Sequence, residues 1–314
     1  MPNDITLGLT ATQEGVAKAA ELLAAGLLVA FPTETVYGLG ADARNSQAVA
    51  KVFDAKGRPA FNPLIVHVSS PQQARRHVVW SDLAQRLADA FWPGPLTLVL
   101  PLCPDHGISP LVTAGLDTLA IRVPSHPTAQ AIMDAFDGPI AAPSANPSGR
   151  ISPTTADHVR AGLNGRIAAI LDDGPCAVGV ESTIVGLQNH PTLLREGGVT
   201  RESIEQVIGA PLELPAADAP LTAPGQLRSH YAPNAQVRLN AKTAHAGEIH
   251  LGFGPIRGDL NLSPTSDLAQ AAARLFDYLH QMDATDQPIA IAPIPDVGLG
   301  RAINDRLLRA AAPR

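Results

Sequence analysis

A chain of 314 residues with 45% hydrophobic and only 17% charged residues has enough apolar side chain to bury a core, and its length suggests two domains. Its net charge of -6 argues against a surface built mainly for duplex nucleic acid or anionic membrane, since neither polyanion attracts a net-acidic protein, although a local basic pocket is compatible with it. Cys103 and Cys176, far apart and in no C-x-x-C pattern, indicate neither a disulfide framework nor a structural zinc site and fit a reducing cytoplasm.

At the N-terminus, Asp4 and Glu14 bracket a weakly apolar start without signal-peptide pattern, and no later run approaches the ~18 apolar residues of a spanning helix, so a soluble protein with no membrane partner is expected. From residue 12, Val16, Ala19, Leu22 and Leu23 recur with helical spacing, and Gly26 stands where a helix C′ residue belongs. The apolar run 27–31 predicts a strand, which Pro32 stops because it has no N–H to donate. The polar stretch PTETVYG is therefore displayed at a strand end, where open α/β sheets form ligand crevices; a plain surface turn is the alternative. Asn45 and Ser46 can cap a second helix with Val49, Val52 and Phe53 on one face, and Gly57 ends it between Lys56 and Arg58. Strands are predicted at 63–68, 96–100 and 119–123, with helices from Ser81 to about Phe91 and from after Ser125 to about Phe136. PIAAPSANPSGR leads to a helix near 155–163, a strand at 167–171 and β-rich stretches at 181–187 and 192–198, which closes a first domain at 1–212. Pro215, Pro220, Pro224 and Pro233 mark a semi-stiff linker over 213–235. Beyond it, strands at 236–240, 248–254 and 288–294 and helices at 266–282 and 300–311 form a small doubly wound pattern over 236–314.

No G-x-x-x-x-G-K-[ST] loop, G-x-S-x-G elbow or H-x-x-x-H pair is present. GLGADA at 38–43 matches G-x-G-x-x-A, but its glycines come six residues after Pro32 instead of at a strand-to-helix turn, so it is not a dinucleotide fingerprint. What the chain offers is a set of small polar residues and fixed cations at strand ends: Thr33 and Thr35, Lys56 and Arg58, His67, Arg122, Ser144 and Asn146. Taken singly, Lys56 and Arg58 read as a solvated helix end and Arg122 as an ion-pair residue. Together they suggest a polyanion site, with cations for phosphates, Arg122 for a carboxylate, and hydroxyls and an amide for an adenosine or amino-acid substrate.

FPTETVYGLGADA, KGRP followed by NPLIVHV, AIRVP, APSANPSG and ESTIV, in this order over about 12–212, resemble the YrdC-type domain of the L-threonylcarbamoyl-AMP synthase family; PGQLRSHYAP and the terminal GLGRAINDRL resemble its longer, two-domain form. The resemblance implies a twisted mixed-sheet YrdC-like α/β domain followed by a small Rossmann-like α/β domain. It also implies a nucleotidyltransferase that forms threonylcarbamoyl-AMP and pyrophosphate from L-threonine, bicarbonate and ATP with Mg²⁺, feeding N6-threonylcarbamoylation of tRNA adenosine 37 by a downstream transferase complex. Carried over residue by residue, Thr35, His67, Arg122, the Ala142 backbone and Ser182 would bind threonine, and Arg58, Asn62, Thr118, Ser144, Ser152, Arg195 and Tyr231 the nucleotide. Lys56 and Arg58 would form the catalytic cation group, no side chain is named as a metal ligand, and no stable nucleic-acid binding is expected. The linker stretch 226–231, hinged at Gly225, is expected to close over the pocket as a lid that brings Tyr231 to the nucleotide. Two other readings are an RNA-binding module of this fold, opposed by the acidic composition and lack of aromatic stacking runs, and a carbamoyl-adenylate enzyme of the hydrogenase-maturation type, whose zinc-finger cysteines and acylphosphatase-like region are missing.

Overall fold

The computed structural model describes residues 5–215 and 229–313. The first domain runs β1 (Leu7–Thr10), α1 (Gln13–Ala24), β2 (Val29–Pro32), β3 (Tyr37–Asp42), α2 (Ser46–Lys56), β4 (Ile65–His67), α3 (Pro71–Ala74), α4 (Asp82–Phe91), β5 (Leu96–Pro101), α5 (Pro110–Thr113), β6 (Thr118–Arg122), α6 (Pro127–Phe136), β7 (Ile140–Ala141), α7 (Ala156–Leu163), β8 (Ala169–Asp172), β9 (Thr183–Gly186), β10 (Thr192–Arg195) and α8 (Arg201–Ile208). The second comprises β11 (Val237–Arg238), β12 (Ile249–Gly252), β13 (Leu260–Asn261), α9 (Leu268–Asp283), β14 (Ile289–Ile291) and α10 (Leu299–Ala310). Among the described residues no helix is long and apolar enough to cross a membrane.

Helix ends follow local chemistry. Thr12, Asn45, Ser81, Thr155 and Thr200 each accept a backbone N–H in the first turn of the helix they precede. Gly57 closes α2 in the left-handed region at φ 59°.

The first ten strands form one mixed sheet in the order β1-β8-β2-β3-β7-β4-β6-β5-β9-β10. Strand alternation divides its centre into two faces. Val66, Leu98, Ile121 and Val185 enter the main core with Leu87 of α4 and Val49 and Val52 of α2. Their neighbours Ile65, Val99, Ala120 and Ile184 make a thin apolar floor on the other face. His67 and Arg122 stand on that second face, side by side in the parallel β4–β6 register, because each is two residues beyond a floor residue.

β3, which carries GLGAD, was not among the predicted strands. Glycine is disfavoured in strands, but here the space is already taken: a Cβ on Gly40 would lie 2.8 Å from the Phe31 ring, and one on Gly38 would lie 3.3 Å from Ala142 Cβ. The short strands β1, β7 and β13 and helix α8 also went unpredicted. α8 belongs to the first domain by packing: Ile204 enters the main core and Arg86 of α4 donates to the Val207 and Ile208 carbonyls. Leu193 N–H donates to the Glu213 carbonyl and Glu213 N–H to the Pro191 carbonyl, so the first domain holds together through residue 213.

The second domain is an all-parallel sheet, β11-β14-β12-β13, packed on α9 and α10. β12 and β13 are joined by a short turn without the helix that a strictly alternating pattern would place there. Its core does not stop at the domain border: Val36 of PTETVYG, Ile151 and Val180 from the first domain pack with Tyr231, Phe276 and Ile303.

Candidate active site

A cleft opens where the β2–β3 turn, the ends of β4 and β6, the segment after β7 and the start of β9 meet the chain at 230–231. The polar stretch after Pro32 forms one wall. Thr33 N–H donates to the Val36 carbonyl at 3.3 Å, and the Thr33 and Thr35 hydroxyls lie 2.8 Å apart. This tight turn holds both hydroxyls in the cleft.

Arg122 is set by three partners: Nε donates to the Gly94 carbonyl (3.1 Å), Nη1 donates to Thr35 Oγ1 (3.0 Å), and Nη2 lies 2.6 Å from Glu34 Oε1. Beside it, burial and the neighbouring guanidinium push His67 down to about 3, so its ring is neutral at physiological pH; Nδ1 has no hydrogen-bond partner among the described residues. Ser182 Oγ pairs with Thr97 Oγ1 (2.7 Å) and accepts from Arg195 Nη2 (3.1 Å), and Ala142 completes this end.

The other end carries Arg58, Arg195, His230 and Tyr231. Arg58 is anchored by the Asn62 (3.2 Å) and Pro63 (2.8 Å) carbonyls. Burial pulls it down to about 10, with Tyr231 opposing and Arg195 adding to the shift, so it keeps its charge at neutral pH. Arg195 donates to the Ser182 carbonyl from Nε (3.1 Å) and Nη2 (2.8 Å). Tyr231 is held at φ 60°, a costly conformation for a residue with a Cβ, and its ring is fixed between His230 and Phe276. Burial raises its phenol to about 12.

Behind this end lies a buried ionic link between domains. Arg306 of α10, wholly inaccessible to solvent, donates from Nε to Glu181 Oε2 (3.0 Å) and from Nη1 to the Glu196 carbonyl (2.5 Å). Ser152 Oγ donates to the other Glu181 oxygen at 2.5 Å. Burial pushes the Glu181 carboxyl up, but Arg306, Arg195 and the Ser152 hydroxyl outweigh it and hold it below the ordinary value.

Nine of the expected site residues line this one cleft: Thr35, Arg58, His67, Arg122, Ala142, Ser144, Ser182, Arg195 and Tyr231. Four lie outside its lining. Lys56 is buried and its ammonium donates to the Ser144 and Asn146 carbonyls, both at 2.5 Å, so it braces the SAN loop; burial and Arg58 lower its pKa well below the usual lysine value. Asn62 abuts the Arg58 anchor, and Ser152 serves Glu181. Thr118 shares the sheet face of Arg122 but sits four residues earlier, ~13 Å along the strand. Sequence reading missed Glu181 and His230; their only local signal was adjacency to Ser182 in ESTIV and to Tyr231 in HYAP. The lid stretch at 226–228 and the hinge Gly225 lie outside the described residues. Among the described residues no three His, Cys, Asp or Glu side chains converge to hold a metal.

Fold and site define a two-domain α/β protein with an arginine-lined cleft on one sheet face, walled partly by its second domain. A family model described as "Telomere recombination" matches residues 21–197, and one described as "Threonylcarbamoyl-AMP synthase, C-terminal domain" matches 199–312. The chain belongs to this Sua5–YciO–YrdC family, in the form that carries the C-terminal domain. It is 42% identical over 338 residues to the threonylcarbamoyl-AMP synthase of Bacillus subtilis, covering 99% of this chain and 97% of that one. With the threonylcarbamoyl-AMP synthase of Pyrococcus abyssi the identity is 41% over 322 residues, 94% of each chain. The crystal structure of P. abyssi Sua5 complexed with L-threonine superposes with a TM-score of 0.89 at 37% identity, covering 98% of this chain and 97% of that one.

Proposed function

We propose that this chain is a threonylcarbamoyl-AMP synthase, joining L-threonine, bicarbonate or CO₂, and ATP. The observation that carries the reading is the meeting of two cation groups in one cleft. Arg122, with Thr35, His67 and Ser182 around it, suits an amino acid's carboxylate and hydroxyl, while Arg58, Arg195 and Tyr231 suit a nucleotide. The free threonine amine adds to CO₂, forming an N–C bond and losing one N–H proton to solvent as the carbamate forms; a carbamate oxygen then bonds to the α-phosphorus as the bond to the leaving pyrophosphate breaks. Both partners are anions, so the work is alignment and charge neutralisation. Alignment can lower a barrier by ~7–11 kcal/mol, and no side-chain nucleophile is needed.

Mg²⁺ is expected with ATP, but the described residues form no resident site for it. The carboxylate that lines the cleft, Glu181, is bound by Ser152 and Arg306. The ion would therefore be held by the phosphates of its own nucleotide. The product is an activated acyl donor, which fits delivery to a cytoplasmic transferase complex acting on tRNA adenosine 37.

The test is pyrophosphate release with each substrate omitted in turn. Release should need threonine and bicarbonate, and serine should be turned over more slowly, because one missing methyl is worth ~1–3 kcal/mol in a fitted pocket. Equal release without an amino acid refutes the reading.

A further inference from the structure

The turn at 33–36 sends its side chains two ways. Thr33, Thr35 and Val36 line the cleft; Glu34 does not, and its carboxylate lies against Arg122. Both members of this pair are almost inaccessible, at 7% and 3% exposure. The remaining Arg122 contacts, to the Gly94 carbonyl and the Thr35 hydroxyl, are uncharged. The other titratable groups facing the pair are His67 of β4, neutral at physiological pH, and Cys176 between β8 and β9, whose thiol is pushed up by burial. Among the described residues Arg122 is thus the one cation acting on Glu34. Burial pushes the Glu34 carboxyl up, but Arg122, helped by the backbone N–H groups of Glu34 and Ser125, outweighs it and holds the carboxyl below its ordinary value.

A second carboxylate changes that balance. One buried guanidinium neutralises one carboxylate, and two carboxylates sharing it leave a net negative charge in a poorly solvated site, where like charges a few ångströms apart raise one pKa by several units. We infer that docking of the threonine carboxylate on Arg122 is coupled to uptake of one proton by Glu34. This rests on the proposed placement of threonine at Arg122. An O–H bond forms on Glu34, and the proton comes from a solvent or buffer acid, whose own bond to it breaks. Glu34 is then a positioning and proton-holding residue that acts through Arg122.

The experiment is calorimetric titration of L-threonine into the full chain, at pH 5 to 8 and in buffers of different ionisation heat, for the wild type and Glu34→Gln. The wild type should take up more protons per threonine than the variant, by up to one. The ratio of wild-type to variant Kd should rise with pH by up to tenfold per unit, over the window between the low pKa of Glu34 in the free protein and its raised value in the complex. Infrared difference spectra of the unsubstituted chain, which do not depend on the variant folding, should gain a protonated-carboxyl band on threonine addition. Equal proton counts with parallel affinity profiles, or no such band, overturn the coupling while leaving the threonine site standing. Wild-type affinity in Arg122→Ala, or no threonine binding at all, overturns the site and the coupling together.

Discussion

Replacing Arg306 by methionine should show how the second domain supports the cleft. The substitution keeps most of the apolar stem but removes the guanidinium that meets Glu181 at 3.0 Å and lies 5.5 Å from the centre of the Tyr231 ring. Breaking a buried ion pair from one side costs about 3–5 kcal/mol, because the other charge stays behind. Glu181 keeps Ser152 and the attraction of Arg195, so the lower end, about 3 kcal/mol, is expected. The sign of the pH dependence is diagnostic. In the wild type the folded pKa of Glu181 is depressed, so its contribution is present above the unfolded carboxyl value and is lost as pH falls through the folded one. Without Arg306, burial, the largest influence on Glu181, has less opposing it and the folded pKa rises. The penalty is then greatest at high pH and relieved on acidification, by up to about 1.4 kcal/mol per unit within the titration. Thermal unfolding followed by circular dichroism at pH 5 and pH 8, with ATP titrations alongside, should show a smaller deficit at pH 5 and weakened ATP binding. Adding Glu181→Gln should recover much of the lost stability. A deficit identical at both pH values, with no recovery in the double variant, refutes the charge-pair account and reduces Arg306 to packing.

Arg122→Ala should weaken threonine binding with little change for ATP and Arg58→Ala should do the reverse, as read by separate titrations of each ligand; parallel losses in both variants would mean the cleft is not divided in this way. Gly197→Ala should cost several kcal/mol, since the added Cβ would lie 2.3 Å from Thr183 N and 2.4 Å from the Glu181 carbonyl, whereas Gly57→Ala, with nothing within 4 Å, should cost only ~1–2 kcal/mol for its positive φ; chemical denaturation of the two variants separates clash from backbone strain. Truncation after residue 215 should abolish most pyrophosphate release, because it uncovers Val36, Ile151 and Val180 and leaves Glu181 without Arg306. A truncated chain as active as the whole would show that the second domain serves another purpose.

Much of this protein is determined by interactions within a few residues, and those parts are legible in the amino-acid order alone. Asn45 and Gly57 bound α2 by capping and by a left-handed turn, and period-two alternation sets the strands of the central sheet. The hydroxyls and cations of the cleft were visible as polar residues stationed at strand ends, and most do converge. Tertiary structure alone decided the rest. Gly38 and Gly40 give no strand signal, and only the packing of Phe31 and Ala142 into the space where side chains would be accounts for them in β3. Lys56 and Arg58 stand on either side of Gly57, yet one braces carbonyls and the other faces the cleft, since the left-handed turn at Gly57 ends the helix and redirects the chain. Glu181 and Arg306 stand 125 positions apart, and no local pattern couples them. A buried charge must find its counter-charge wherever the chain's closure brings one, and closure is a property of the whole fold.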